Sequence, residues 1–308
     1  MARMNSSSFT AGAADRSIGA ILVDAGRLAP EDAERILRLQ KDASIRFGEA
    51  GIQLGLLTEA DILFALSLQF DYPYLSGPVR PVSDEVVVAY RPFGIEGERL
   101  RGLRSQLQLR WFDEGGKRTN LAVVSAHRGE GRSYLAANLA VSFAQAGERT
   151  LLIDADLRNA RQHKFFKLDN MSGLSNLLVG QLHESVVKFI PGIPGLAILP
   201  SGPIPPNPQE LLSRPAFRRI LEQSASTFNV VIIDTPAADE GIDATLLARD
   251  AGAALAVART NLTKMRVFND FCDVIRDTGA QVVGSVLVDI PPGRRSKKAT
   301  STALERAI

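Results

Sequence analysis

The feature that most constrains this fold is a strand-length apolar run that breaks into a glycine-bearing turn and opens directly into a helix. Leu121 to Val124 is apolar throughout, Ala126-His-Arg-Gly-Glu-Gly-Arg-Ser133 follows, and from Tyr134 to Ala146 apolar residues recur at helical spacing. Gly129 and Gly131 let the backbone turn sharply and allow another molecule to approach it closely. Successive backbone N–H groups at such a helix start form a concave positive site for a polyphosphate. The usual cradle ends Gly-Lys-Ser/Thr, where lysine reaches the outer phosphates and the hydroxyl binds magnesium. Here Ser133 supplies the hydroxyl and Arg132 occupies the lysine position, which keeps the charge but replaces a point charge with a planar fork. Taken alone, this stretch also fits a turn that uses glycine only to reverse the chain.

Two further stretches bear on that choice. Thr150-Leu-Leu-Ile-Asp154-Ala-Asp156-Leu-Arg158 is an apolar strand with two carboxylates and an arginine at its C-terminal end, and Asn229-Val-Val-Ile-Ile-Asp234-Thr-Pro repeats the pattern. Ligands of open parallel sheets bind at the carboxyl ends of strands. Aspartate also opens ordinary turns, but three such strand ends in one chain point to a nucleotide. Leu196 to Leu199, Ala253 to Ala258 and Gln281 to Val288 read as further buried strands, with a helix around Val267 to Asp277. Strands alternating with helices predict an α/β fold, a P-loop NTPase with a mostly parallel sheet and helices on both faces. A small helical N-terminal domain precedes it.

The segments Gly-Glu-Gly-Arg-Ser, Leu-Leu-Ile-Asp-Ala-Asp-Leu-Arg and Val-Ile-Ile-Asp-Thr-Pro resemble the Walker A, Walker A′ and Walker B motifs of the bacterial tyrosine kinases of exopolysaccharide loci. Glu98-Arg-Leu-Arg101-Gly-Leu-Arg104 resembles that family's Glu-x-x-Arg-x-x-Arg segment, through which subunits contact one another. The resemblance implies an ATP- and Mg²⁺-dependent tyrosine (auto)kinase that regulates exopolysaccharide chain length, polymerisation or export. It implies nucleotide contacts from Gly129, Glu130, Gly131, Arg132, Ser133 and Tyr134, metal contacts from Ser133, Asp156 and Asp234, and catalytic roles for Asp154, Asp156 and Arg132. Its expected partners are a membrane chain-length determinant (polysaccharide co-polymerase) protein and further copies of the chain, joined through Glu98, Arg101 and Arg104. A ParA/MinD-like switch ATPase without kinase activity shares the fold and is the alternative.

The N-terminal module carries a repeat: Gly19, Leu28 and Gln40 recur as Gly48, Leu57 and Gln69, an offset of 29 residues (48 − 19). Each unit reads as two short helices around a glycine turn at Gly26 or Gly55. It resembles the N-terminal domain of type II secretion and type IV pilus ATPases, some of which bind cyclic di-GMP; Arg46 and Gln69 match that pattern, while Ser17 stands where the first unit would carry arginine. A helical docking module without a ligand is the competing interpretation, and a cyclic-di-GMP-responsive adaptor a third functional one. The expected divisions are 1–15 disordered, 16–75 helical module, 76–95 proline-bearing linker, 96–290 ATPase domain and 291–308 basic disordered tail with Arg294, Arg295, Lys297 and Lys298.

A net charge of +2 over 308 residues leaves no nucleic-acid footprint. The single cysteine, Cys272, excludes an internal disulfide and reads as a packing residue. No secretory leader or bilayer-length apolar run is evident, so the expected place is the cytoplasm, at the inner face of the membrane through a partner. The tyrosines are Tyr72, Tyr74, Tyr90 and Tyr134, none of them after the ATPase core. Tyr72, Tyr74 and Tyr90, in or beside the linker, are the expected acceptors of any autophosphorylation, with a partner protein as the other acceptor.

Overall fold

The computed structural model describes residues 16–70, 72–75, 79–112, 118–181 and 186–289; the expected disordered start and basic tail lie outside them. The two repeats fold as successive helix pairs, α1 (Ile18–Asp24) with α2 (Pro30–Ala43) and α3 (Phe47–Gln53) with α4 (Glu59–Gln69). Gly26 and Gly55 end α1 and α3 at φ of +66° and +67°. In both places the glycine N–H and the next N–H return to carbonyls of the last turn, Val23 and Leu22 in one repeat, Ile52 and Gly51 in the other. This closure satisfies carbonyls that would otherwise face the core, and the left-handed backbone favours glycine. Thr58 and Asp61 form a reciprocal cap on α4, and Arg27 ties the repeats together through Asp61 at 3.1 Å while lying over the Phe64 ring. Leu22, Ile36, Ala50 and Ala65 form the module's own dry core.

The stretch expected as a linker or an extended docking arm is packed over much of its described length. Val82, Val86, Val88 and Ala89 are fully buried, leading through α5 (Val87–Tyr90) into α6 (Ile95–Arg110). The prolines around this stretch set its turns, whereas the run of valines dictates its burial. Fully burying a side chain of valine size stabilises by roughly 1.5 kcal/mol or more. Gly97 of α6 sits against the preceding backbone, where a Cβ would lie 2.1 Å from the Pro92 carbonyl oxygen. Gly97→Ala is expected to cost about 1–3 kcal/mol through backbone displacement, read as a lower midpoint in urea with an unchanged slope.

The remaining elements alternate: β1 (Asn120–Ser125), α7 (Arg132–Gln145), β2 (Thr150–Asp154), α8 (Gln162–Phe165), α9 (Leu174–Leu178), β3 (Lys188–Phe189), β4 (Leu196–Leu199), α10 (Pro208–Leu212), α11 (Pro215–Thr227), β5 (Val230–Asp234), α12 (Asp243–Ala251), β6 (Ala253–Arg259), α13 (Met265–Asp277) and β7 (Gln281–Val288). The sheet order is β3-β4-β2-β5-β1-β6-β7. Every pairing is parallel except β3 with β4. Residues of β1, β2 and β5 are almost all buried because apolar helices cover both faces. One face takes α7, whose small residues Ala136, Ala137 and Ala140 allow close approach to the sheet, together with α5 and α6. The other takes α9 to α13, and Cys272 packs there. On α7, Asn138 exchanges hydrogen bonds with Val88 and Glu85, and Gln145 donates to the carbonyls of Pro73 and Val88, which ties Pro73, Glu85 and Val88 to the ATPase core. Among the described residues no helix is long and apolar enough to cross a membrane.

Candidate nucleotide site

Parallel register brings the three sequence motifs to one edge. Asp154 of β2 lies opposite Asp234 of β5, and Asp234 lies opposite Val123 of β1. Neighbouring strands are about 4.8 Å apart, so the phosphate loop and both acidic strand ends converge. The loop crosses Gly129 at φ +85° and Gly131 at φ +97°, backbone conformations that a side chain would strain. Among the described residues, the N–H groups of Gly129 to Ser133 donate to no protein acceptor, leaving a row of donors at the start of α7.

The side chains of the loop divide their tasks. Glu130 is fully buried; one carboxylate oxygen accepts from the His127 N–H at 2.8 Å and the other from the Thr263 hydroxyl. Its side chain therefore braces the loop from behind and only its backbone belongs to the cradle. Arg259 adds a bond to the Gly129 carbonyl at 2.9 Å. Arg132 is buried too, its Nε donating to the Thr235 carbonyl at 2.9 Å and its Nη1 to the Ser125 hydroxyl and the His127 carbonyl. The planar fork thus joins β1, the loop and the end of β5, which one ammonium point charge cannot reproduce. Tyr134 is half-buried against the apolar core under α7 and does not line the cavity.

Beneath the loop lie charges that have no complete set of protein partners. Asp154 and Asp234 are fully buried, and each has one oxygen without a hydrogen-bond partner among the described residues. The other Asp154 oxygen accepts from the N–H groups of Arg161 at 3.0 Å and Gln162 at 2.9 Å. The other Asp234 oxygen accepts from Gln162 Nε2 at 2.7 Å. Burial, then the Asp234 charge, pushes the Asp154 carboxyl well above the usual range. Burial also raises Asp234, to about 6, against the lowering influence of Arg132, Gln162 and Ser133. Asp156 is nearly buried, accepts from the Asn159 N–H at 2.8 Å, and alone of the three carboxylates lines the cavity. Arg158 is held in an ion pair with the buried Asp243.

That cavity measures about 690 Å³, and besides Gly129, Gly131 and Ser133 its wall includes Arg128, Arg132, Arg158, Arg161 and Lys164. Five cations facing one carboxylate suit a polyanion. Sequence reasoning passed over Gln162, which joins Asp154, Asp234 and the Ser133 carbonyl, and His127, whose Nδ1 lies 3.0 Å from Asp239. Gln162 stands in a one-turn helix with no periodic pattern to mark it. The segment expected to join subunits lies on α6: Glu98 and Arg101 pair with each other, and Arg104 donates to the Ser142 carbonyl at 3.0 Å. In the helical module Arg46 is exposed at the start of α3, and Gln69 donates to the Arg16 carbonyl at 3.0 Å.

The loop, sheet order and acidic strand ends define a P-loop NTPase. The family model described as cellulose biosynthesis protein BcsQ matches residues 119–266. Tyrosine-protein kinase YwqD of Bacillus subtilis (strain 168) is 32% identical over 202 residues, covering 66% of this chain and 84% of YwqD. Tyrosine-protein kinase ptk of Acinetobacter johnsonii is 37% identical over 194 residues, 63% of this chain but 26% of ptk, so the chain spans about a quarter of that longer relative. The kinase domain of Escherichia coli tyrosine kinase ETK superposes with a TM-score of 0.64 at 27% identity, covering 70% of this chain and 84% of that domain. The chain belongs to the family of bacterial tyrosine-protein kinases.

Proposed function

We propose that this chain is an ATP- and Mg²⁺-dependent protein tyrosine kinase acting in exopolysaccharide chain-length control, polymerisation or export. The observation that carries the proposal is the pair of buried aspartates with unpartnered oxygens directly below a phosphate loop whose N–H groups are unengaged. Those oxygens suit a hard cation. Among the described residues no cluster of three or more His, Cys, Asp or Glu has metal-ligand geometry, which accords with Mg²⁺, commonly held by one or two carboxylates plus water and substrate phosphate. Ser133 and Asp234 would hold it, with Asp156 reaching it through a water, and the ion would neutralise charge on the transferred phosphoryl group. Backbone N–H groups of residues 129–133 and the Arg132 fork hold the phosphates. Asp156, facing the cavity, accepts the tyrosine hydroxyl proton, whereas Asp154 works from behind by fixing the 161–162 backbone.

A membrane chain-length determinant protein is the proposed partner, placing the kinase at the inner face of the membrane, with Glu98, Arg101 and Arg104 on the oligomer contact. Incubation with ATP-Mg²⁺ and that partner should yield phosphotyrosine by mass spectrometry; ATP hydrolysis with no phosphotyrosine on either protein would favour the switch-ATPase alternative. Ser133→Ala should weaken Mg²⁺-dependent ATP binding about tenfold by removing one hard oxygen. Calorimetry with Mg²⁺ and with EDTA checks this, since the variant should fall toward the EDTA value. Arg46 and Gln69 are the positions to vary should the chain bind cyclic di-GMP.

A further inference from the structure

β5 lies between β1 and β2, so the segment leaving β2 stands on the order of 10 Å across from the phosphate loop. Its backbone is folded back by the Asp156 and Asp154 carboxylates, which turns Arg158, Arg161, His163 and Lys164 to the cavity. The Arg158 charge is engaged by Asp243. Arg161 is exposed, with Glu85 at 3.4 Å as its ion-pair partner and its guanidinium 4.8 Å from the Phe165 ring centre. Lys164 is exposed and forms no ion pair among the described residues. His163 Nδ1 is buried without a hydrogen-bond partner among the described residues, and burial together with the Lys164 charge lowers the imidazole pKa.

The chain's own tyrosines fit this wall poorly. The Tyr90 hydroxyl is buried, donating to the Val82 carbonyl and accepting from its N–H. The Tyr72 hydroxyl donates to Gln145 at 3.2 Å, and Tyr74 is half-buried. These placements replace the expectation of three acceptors in a flexible linker.

We propose that the wall formed by Arg161, His163 and Lys164 docks an acidic, tyrosine-bearing segment of another protein, which enters opposite the phosphate loop and presents its hydroxyl to Asp156. This rests on the kinase function and names its substrate class. The tyrosine oxygen forms a bond to the terminal phosphorus of ATP. The bond to the bridging oxygen breaks with its electron pair leaving on ADP, and the hydroxyl proton passes to Asp156. The concave wall runs down to Asp156, which a flat lipid surface could not follow.

The test uses the full chain with a non-hydrolysable ATP analogue and Mg²⁺, and compares binding of a random Glu/Tyr copolymer with a Lys/Tyr copolymer by fluorescence anisotropy. The parent should prefer the Glu/Tyr copolymer by about tenfold or more, and Arg161→Glu/Lys164→Glu should cancel or reverse that preference, read as the ratio of the two copolymer affinities with the nucleotide analogue saturating for each protein. Equal affinity of the parent for both copolymers would overturn the proposal, as would loss of nucleotide and copolymer binding in step. Phosphatidylserine vesicles bound without any copolymer preference would assign the wall to a membrane and overturn it too. Acidic docking without phosphate transfer from ATP would uphold the surface while overturning the kinase function.

Discussion

Asp234→Asn is expected to make the ligand-free protein more stable at pH 7.5 and to slow phosphoryl transfer sharply. Asp234 is fully buried with one unpartnered oxygen, and burial raises its carboxyl to about 6 from 3.8. A shift of about two units corresponds to roughly 3 kcal/mol of penalty for holding the charge in the folded state. Asparagine removes that charge at nearly the same volume, and for a protein of this size about 3 kcal/mol raises the melting temperature by roughly 6–12 °C. The sign follows from proton counting. Between pH 3.8 and about 6 the folded protein holds the Asp234 proton and the unfolded chain has released it, so this group's contribution to stability falls as pH rises through that window. The advantage of the variant should therefore vanish below about pH 4 and be complete above about pH 7. Phosphoryl transfer should drop by roughly a hundredfold or more, because several kcal/mol of transition-state charge stabilisation go with the metal-side carboxylate. Melting curves from pH 4 to 8 decide the matter: a variant no more stable than the parent at any pH would mean the buried charge is compensated.

The same residues show how far the sequence could be read. The apolar strands ending in Asp154 and Asp234, and the glycines before α7, are local signals, because a parallel sheet forces continuous apolar runs and a phosphate loop forces positive φ. The repeat was equally plain, and Gly26 and Gly55 adopt matching backbone angles. What stayed hidden depends on partners distant in the chain. Gln162 meets Asp234 across 72 positions and Glu130 meets Thr263 across 133, and no local pattern carries that information. Glu130 was read only for the backbone N–H it lends to the loop, and nothing local told that its carboxylate turns away to the His127 N–H and the Thr263 hydroxyl. The 79–92 stretch left a linker and a docking arm both open for another reason, since proline marks a change of direction and says nothing about burial. Its valines, packed against α5, α6 and α7, carried the better signal.

Arg132→Ala is expected to lower ATP affinity by at least about tenfold, the scale of a lost charge-assisted contact, and to change the pH dependence in a way that a merely loosened loop would not. Arg132 is the largest of the influences holding the Asp234 carboxyl down. Without it the midpoint for Mg²⁺-dependent binding should move upward, because Asp234 must lose its proton before it can serve a cation. Arg132→Lys separates charge from shape. The lysine keeps the positive charge, so the midpoint should stay near that of the parent. It cannot serve the Thr235 carbonyl, the Ser125 hydroxyl and the His127 carbonyl together as the fork does. Leaving a buried acceptor unsatisfied costs about 1–3 kcal/mol, so the lysine variant should melt earlier while retaining measurable ATP binding. Among the described residues Nη2 of Arg132 has no hydrogen-bond acceptor, and it is the donor left for a phosphate oxygen. Calorimetric titrations of ATP-Mg²⁺ between pH 5 and 8 on the parent and both variants separate the effects. An alanine variant with the parent's affinity and midpoint would show that the fork only closes the loop, and a lysine variant with the parent's melting temperature would show that its bridging bonds carry no stability.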